Sequence, residues 1–319
     1  MDHAAGQTAA NLAHANGAEP PARDERTFAE RLHARMEALD TRVCLGIDPR
    51  PERHPSTHPD AHGGDPAKVA KAVVRYFREL IDAAAEQIAC VKLQSAFFEA
   101  MGVPGLIGMA QLLADARERG VPAILDAKRG DVASTAEAYA DAYLGSGVFS
   151  ADALTVQPYL GMDAIEPFVR AADRERRGLF VLVRTSNPGG ADLQELALAF
   201  IASGAPTVAD RLADLLTERA RELGVDGRGY GPLGAVVGGT VPGRIAGLRA
   251  RLPHAVLLVP GYGAQGAGPD DVRPAFDADG FGAVIAASRS LTYPGGDDPP
   301  RDAERAARAM REAIQATLA

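Results

Sequence analysis

The sequence predicts a (β/α)8 barrel, of the TIM barrel class, and three observations support that fold. Short apolar runs alternate with helical patterns along the chain, and eight such runs can be counted. Alternating strands and helices form parallel sheets, and a count of eight favours closure. Charged and amide residues gather at or just after the run ends, where barrel enzymes keep their active sites. The alternative is an open, doubly wound sheet.

The chain begins with a segment unlike the rest. Residues 1–24 are rich in Ala, Gly, Asn and Pro and show no apolar periodicity, which predicts a disordered tail. Residues 25–319 then form a single barrel domain, and a helix over 28–39 precedes its first strand.

The eight predicted strands cover 43–48, 88–94, 121–128, 153–157, 178–184, 233–237, 255–259 and 282–287. Helical patterns follow them over 66–87, 106–119, 135–144, 164–172, 242–251 and 301–318. The segment between strands five and six is long and holds two further helical patterns, 193–201 and 208–223.

Composition narrows the class of protein. A hydrophobic fraction of 46% and a charged fraction of 24% are ordinary for a globular protein. A net charge of −8 argues against a general nucleic-acid binder. No apolar run is long enough for a membrane span, and the first residues do not resemble a signal peptide, so we expect a cytoplasmic protein. Cys44 and Cys90 fall in strand runs and are predicted to be buried, reduced thiols.

The stretch 125–135 concentrates charge at the end of a strand that is otherwise apolar. Asp126 and Lys128 stand at i and i+2, so on a continued strand they share one face. Gly130 permits a turn, Asp131 follows, and Ser134-x-x-Glu137 is a capping-box pattern that predicts a helix start. Buried charge is costly unless it is paired. The cluster is either a catalytic group or an ion pair that ties off the strand.

The small number and the positions of the lysines favour a catalytic role for two of them. The chain has 34 Lys and Arg residues, and the lysines among them are only Lys68, Lys71, Lys92 and Lys128. Lys68 and Lys71 belong to a helical pattern and a solvated face. Lys92 and Lys128 stand on strands, and an ammonium, unlike a guanidinium, can give up a proton.

Two loops after later strands are candidates for substrate binding. The glycine-rich 261–266 segment could bind an anion through backbone N–H groups and Gln265, with Arg289 supplying charge after strand eight. Loops after strands seven and eight are the usual phosphate position in barrels, although a plain flexible turn is the alternative. Ser186 begins a turn-forming segment, 186–189, which could be only a turn or, because it follows strand five, a lid or a base-reading loop.

Three histidines, His54, His58 and His62, recur every four residues. They stand among Pro, Ser and Gly, so we expect a solvated loop and no metal site. No Cys/His pair has a zinc spacing.

Together these residues resemble the orotidine 5′-phosphate decarboxylase family. Asp126-Ala127-Lys128-Arg129-Gly130-Asp131 is similar to that family's D-x-K-x-x-D core, and Lys92 stands where the family has its other lysine. Asp48, Ser186-x-Pro188-Gly189, Gln265 and Arg289 follow the family order. The resemblance covers about 43–293 and is strongest to the longer bacterial branch, type 2. Serines flank Arg289 where many members have glycine, and the segment between strands five and six is long for the family.

The resemblance implies a cofactor-independent lyase of UMP biosynthesis, active as a homodimer with shared sites and without a metal. Lys128 would stabilise the carbanion left by CO2 and then protonate it, and Asp126 would lie near the departing carboxylate. The remaining roles implied are ribose binding by Asp48 and Lys92 with the partner's Asp131 and Thr135, pyrimidine binding by Ser186, and phosphate binding by Gln265 and Arg289.

Three alternatives stay open from the residues. One is a metal-dependent sugar-phosphate decarboxylase or aldolase with a similar D-x-K-x-x-D. A second is a Schiff-base aldolase, which carboxylates beside Lys128 disfavour because they hold the ammonium protonated. The third is a non-catalytic phosphate-binding barrel.

Overall fold

The computed structural model describes residues 24–54, 59–199 and 206–319. Eight parallel strands close into a barrel in the order β1 to β8, with β1 pairing β8. The predicted barrel is therefore confirmed, and the open sheet is wrong. The strands are β1 Val43–Ile47, β2 Cys90–Gln94, β3 Ala123–Arg129, β4 Ala153–Val156, β5 Gly178–Arg184, β6 Leu233–Val237, β7 Leu257–Pro260 and β8 Ala283–Ala287.

Alternation along each strand separates two layers of core. One face packs against the outer helices, and the other fills the barrel interior. The interior layer of β1 and β2 begins with Cys44 and Cys90, which pair in register; both are buried and free, as predicted. Two residues further along β2 the same face carries Lys92. The apolar interior thus becomes charged near the carboxyl ends of the strands.

The long outer helices follow the predicted order, and the structure adds short helices at strand ends that the sequence analysis did not predict. They are α1 Phe28–Leu39, α2 Pro66–Ala84, α3 Ser95–Glu99, α4 Gly102–Glu118, α5 Ala133–Leu144, α6 Met162–Arg174, α7 Ala191–Gln194, α8 Val208–Ala220, α9 Pro242–Arg251, α10 Pro269–Val272, α11 Arg289–Thr292 and α12 Pro299–Leu318. No helix in the described ranges is long and apolar enough to cross a membrane.

Helix α1 closes the amino-terminal end of the barrel. Its N-cap residue, Thr27, forms a reciprocal capping box with Glu30. Its apolar face joins the interior layer, and the ring of Phe28 meets Phe180 edge-on with centroids 5.8 Å apart. The predicted tail precedes this helix, and residues 1–23 lie outside the described part of the chain.

The predicted helix over 193–201 is wrong where the structure describes it. Helix α7 ends at Gln194, and Ala197 instead forms an antiparallel bridge with Thr207. The physical reason is that the side chains of Gln194 and Glu195 bond residues at the end of β5. Gln194 Oε1 accepts from the Thr185 N–H at 2.9 Å, and the Glu195 carboxylate pairs with the buried Arg184 at 2.7 Å. These contacts turn the chain toward β5.

The predicted capping box at Ser134 is also wrong. Helix α5 begins at Ala133, one residue earlier, and its N-cap, Val132, has no side-chain capping bond. In this stretch Gly130, which was predicted to permit a turn, does not have a positive φ angle. Lys128 and Ala133 have the positive φ angles, 49° and 48°. Gly130 instead leaves room for Gln157, because a Cβ there would lie 2.3 Å from Gln157 Nε2.

The histidine loop is only partly solvated. His62 is exposed, and His58 lies outside the described residues. His54, predicted to be solvated, is buried and packs on the ring of Tyr76 with centroids 4.5 Å apart. The loop after β1 folds back onto α2 and Tyr293, because aromatic rings there offer apolar contact that spacing along the sequence does not reveal.

Candidate active site

Asp126 is the centre of the charged cluster. It lies on β3, is 7% exposed, and its carboxylate accepts four side-chain hydrogen bonds. Oδ2 accepts from Lys92 Nζ at 2.7 Å and from Gln94 Nε2 at 3.1 Å. Oδ1 accepts from Lys128 Nζ at 2.5 Å and from Thr155 Oγ1 at 2.9 Å. Both oxygens are therefore saturated, and two of the donors carry full charges.

The charges of the cluster reinforce one another. Burial would raise the pKa of Asp126, but the ammonium groups of Lys92 and Lys128 outweigh burial and hold that pKa well below its usual range. Burial would likewise lower the pKa of Lys92, yet the charges of Asp126 and Asp48 raise it above its usual range. At neutral pH the site thus keeps an ionised Asp126 and a protonated Lys92.

An irregularity in β3 re-aims Lys128. Leu125 pairs with Leu154 of β4, but the next pair in register is Arg129 with Val156. Three residues of β3 therefore face a single residue of β4, which is a bulge. Lys128 takes a left-handed conformation inside it, with φ of 49°, a sparsely populated region for a residue with a side chain. The lysine side chain is 44% exposed, so its ammonium is accessible beside a buried carboxylate.

Two residues of the cluster were missed by the sequence analysis. Thr155, the β4 residue that faces the bulge, is fully buried and bonds both Asp126 and the Lys128 backbone. Gln94 pairs in register with Asp126 and shares Oδ2 with Lys92. Gln94 has a sequence signal, because it stands at i+2 from Lys92 and so shares its strand face. Thr155 has none, since its role depends on a bulge that no pattern predicts.

A cavity of about 400 Å³ opens beside this cluster at the carboxyl ends of the strands. Its size suits a small ligand. Part of its wall is apolar, formed by Leu182, Val236 and Leu258. It brings together seven of the predicted site residues, namely Asp48, Lys92, Asp126, Lys128, Ser186, Gln265 and Arg289. The strand ends thus assemble one site from residues far apart in the sequence, as the barrel predicts.

The side chains of Gln265 and Arg289 are exposed in the cavity wall. The glycine-rich loop has positive φ angles at Gly261, Gly263 and Gly266, which glycine adopts without strain. The N–H groups of Gly263 and Gly266 bond within the loop, at 2.9 and 2.8 Å. An anion here would therefore meet the side chains of Gln265 and Arg289 before those two backbone groups.

Asp131 and Thr135 stand apart from the cavity of their own chain. Neither contributes to its lining. Asp131 is partly exposed and accepts from the Val132 N–H at 2.8 Å, and Thr135 is exposed in the first turn of α5. Exposed apolar side chains lie near them in sequence, with Val132 51% exposed and, after β4, Tyr159 83% exposed.

Within 24–54, 59–199 and 206–319, no group of three or more His, Cys, Asp or Glu side chains is arranged to hold a metal ion. The carboxylates of the site lie against ammonium groups instead. Asp126 bonds two lysines, and Asp48 lies near enough to contribute to the charge balance of Lys92.

Comparison with known proteins gives consistent matches. A family model described as "Orotidine 5′-phosphate decarboxylase / HUMPS family" matches residues 41–306. The orotidine 5′-phosphate decarboxylase of Rhodopirellula baltica is 45% identical over 273 residues, 84% of this chain and 88% of that protein. The one from Deinococcus radiodurans is 40% identical over 292 residues, 92% of this chain and 98% of that protein.

A solved structure agrees with the sequence matches. That of Leishmania donovani OMP decarboxylase superposes with a TM-score of 0.73 at 32% identity, over 92% of this chain and 98% of that one. The family match spans most of the chain, and the bacterial relatives align over nearly their whole length. The chain therefore belongs to the orotidine 5′-phosphate decarboxylase / HUMPS family.

Proposed function

We propose that this protein decarboxylates orotidine 5′-phosphate to UMP and CO2 in de novo pyrimidine synthesis. The observation that carries the proposal is the placement of Asp126 between Lys92 and Lys128 in a cavity whose wall also holds Arg289 and Gln265. Such a cavity offers a cation to a developing carbanion and a second cation to a phosphate. The names of the bacterial relatives agree with this reaction.

The proposed chemistry uses Lys128 as the proton donor. The bond between C6 of the pyrimidine and its carboxylate breaks, CO2 leaves, and the electron pair remains on C6. The Lys128 ammonium stabilises that charge and transfers a proton to C6, after which Lys128 regains a proton from water. Asp126 stays ionised, so it keeps Lys128 oriented and repels the substrate carboxylate in the ground state. The proposal involves no cofactor.

Substrate binding is proposed to follow the cavity wall. Asp48 Oδ1 is buried and has no hydrogen-bond partner in the described part of the chain, which suits a ribose hydroxyl beside Lys92. Ser186, on the loop after β5, would bond the pyrimidine. Gln265 and Arg289 would bind the phosphate, supplying remote binding energy for the chemistry at C6.

We also propose that two subunits share each site. Asp131 and Thr135 do not line their own cavity, yet they follow the catalytic strand directly. Exposed apolar side chains at this end of the barrel, such as Val132 and Tyr159, are typical of a protein interface. A two-fold homodimer would bring Asp131 and Thr135 of each subunit to the ribose end of the other site. The cytoplasmic location expected from the sequence stays a prediction.

The test is loss of the orotate absorbance after orotidine 5′-phosphate is added to chelator-treated protein. We expect rapid loss with the wild type and a decrease in kcat/KM of about 10⁴-fold or more for Lys128→Ala, because one group serves as cation and as acid. Lys68→Ala is the matched control, since Lys68 is an exposed helical lysine away from the cavity.

Two other outcomes would contradict the proposal. Absence of decarboxylation, with turnover of a sugar phosphate once magnesium is added, would assign the metal-dependent activity considered in the sequence analysis. Borohydride trapping of a ketone substrate on Lys92 or Lys128 would assign a Schiff-base aldolase. The second outcome conflicts with the raised pKa of Lys92, which keeps that amine protonated and poorly nucleophilic.

A further inference from the structure

Thr155 occupies a special place in the sheet. It is the one β4 residue that faces the three bulged residues of β3, between the pairs Leu125 with Leu154 and Arg129 with Val156. A bulge leaves backbone groups without their regular ladder partners. Here the Lys128 N–H donates to the Thr155 side chain at 2.9 Å in place of a strand carbonyl. A side-chain hydroxyl therefore substitutes for the missing sheet bond.

The donor and acceptor in each of the two Thr155 hydrogen bonds follow from which atoms carry a proton. A backbone N–H can only donate, so Thr155 Oγ1 accepts from Lys128 and its single proton remains for another partner. That partner is Asp126 Oδ1, 2.9 Å away, an ionised oxygen that can only accept. The same Asp126 oxygen accepts from Lys128 Nζ at 2.5 Å. The three residues close a ring that includes both the backbone and the ammonium of Lys128.

We propose that Thr155 is a positioning residue that holds Lys128 in its left-handed conformation and its ammonium against Asp126. The inference deepens the proposed function, because it assigns the support of the proton donor. Left-handed backbone at a residue with a side chain is costly and persists only where its surroundings enforce it. Thr155 is fully buried, so its hydroxyl is ordered and excluded from solvent before substrate binds.

The experiment compares Thr155→Val, which removes the hydroxyl at nearly constant shape, with Thr155→Ser, which keeps it. We expect kcat with orotidine 5′-phosphate to fall roughly 10- to 100-fold in Thr155→Val and to stay within about threefold of wild type in Thr155→Ser. KM should change little, because the phosphate and ribose contacts lie elsewhere.

Thr41→Val is the matched control. Thr41 is another fully buried threonine, two residues before β1, and its hydroxyl bridges the Gln87 carbonyl and the Val43 N–H. This control carries the same loss of a buried hydroxyl at the opposite end of the barrel. It should lower stability and leave kcat unchanged. Equal losses of kcat in Thr41→Val and Thr155→Val would overturn the inference in favour of a general structural effect.

A second measurement does not depend on the reaction. Amide hydrogen exchange at Lys128 should be slow in the wild type and in Thr155→Ser, and faster in Thr155→Val, because the bond from its N–H is lost. Unchanged exchange at Lys128 in Thr155→Val would overturn the inference even if the wild type decarboxylates orotidine 5′-phosphate. Conversely, an inactive wild type would contradict the proposed function, and exchange at Lys128 would still decide the role of Thr155.

Discussion

At the scale of single residues, the site depends on one carboxylate that holds two ammonium groups. Asp126 bonds Lys92 on one oxygen and Lys128 on the other. Lys92 is buried and Lys128 is partly exposed, although both bond the same group. Both ammonium groups hold the pKa of Asp126 well below its usual range, and both lysines line the cavity. A second carboxylate, Asp48, has a buried Oδ1 without a hydrogen-bond partner among the described residues, which is the atom we propose for a substrate hydroxyl.

Replacing Asp126 with Asn should change how the free energy of unfolding depends on pH. The pKa of Asp126 is lowered by folding, so its contribution to stability is present above the unfolded value of about 4 and lost as the pH falls below it. The pKa of Lys92 is raised, so its contribution is present below its unfolded value of about 10.4 and lost only at higher pH.

Between about pH 5 and 9, wild type should therefore exceed Asp126→Asn by a constant free energy of unfolding, about 3–5 kcal/mol for a broken buried pair. Below about pH 4 the difference should shrink. Urea unfolding across this pH range measures it, with Asp60→Asn as an exposed control. A difference that persists undiminished at pH 3 would show that Asp126 does not carry the effect through its charge.

At the scale of elements, the loop after β5 is held in place by contacts with the segment between β5 and β6 and with α9. Arg184 is buried and pairs with Glu195, which also pairs with Arg244 of α9 at 3.2 Å. The described residues of the segment between β5 and β6 therefore help to anchor the Ser186 loop, together with Thr240, whose hydroxyl donates to the Ser186 carbonyl at 2.8 Å. Gly238, just after β6, approaches the same loop closely, since a Cβ there would lie 2.7 Å from Ser186 Cα.

Gly238→Ala should therefore displace Ser186 and raise the KM for orotidine 5′-phosphate about tenfold or more, because backbone atoms cannot move aside as a flexible side chain can. Gly243→Ala is the control, since Gly243 lies in α9 with no atom within 4 Å of the added Cβ. That change should leave KM unchanged and slightly stabilise the helix. An unchanged KM in Gly238→Ala would mean that Ser186 does not contact the substrate.

At the scale of the whole molecule, each barrel supplies most of a site and leaves two of the expected residues outside it. Asp131 and Thr135 do not line the cavity of their own chain, while the strand before them carries the proton donor we propose. A two-fold dimer is the commonest symmetric assembly of a single chain, and the dimer that we propose brings both residues to a partner's cavity.

Subunit mixing tests this arrangement. Lys128→Ala and Asp131→Ala are each expected to be inactive alone. If sites are shared, a mixed dimer has one doubly altered site and one intact site, so an equal mixture should recover about one quarter of wild-type activity. If Asp131 serves its own chain, both sites of the mixed dimer are damaged and no activity returns. Mixing two batches of Lys128→Ala is the control and should give nothing.

The sequence by itself predicted a barrel, with an open sheet as the alternative, and predicted seven residues that the structure places in the cavity wall. Eight alternations of strand and helix predict a parallel sheet, and the count of eight favours a closed barrel over an open sheet. The strand period of two places Lys92 and Asp126 on the interior face. These are local properties, so they can be read from neighbouring residues. The positions of Gln265 and Arg289 followed because parallel strands in a barrel end at one mouth.

Only the tertiary structure decided the features that depend on contacts between distant segments. Thr155 matters because a bulge in β3 turns Lys128 toward it, and no periodicity marks a bulge. His54 is buried by rings from α2 and from Tyr293, so its local surroundings of Pro and Ser were misleading. The helix expected over 193–201 ended early because Gln194 and Glu195 pair with β5 and the residue after it. In each case a long-range contact outweighs the local preference.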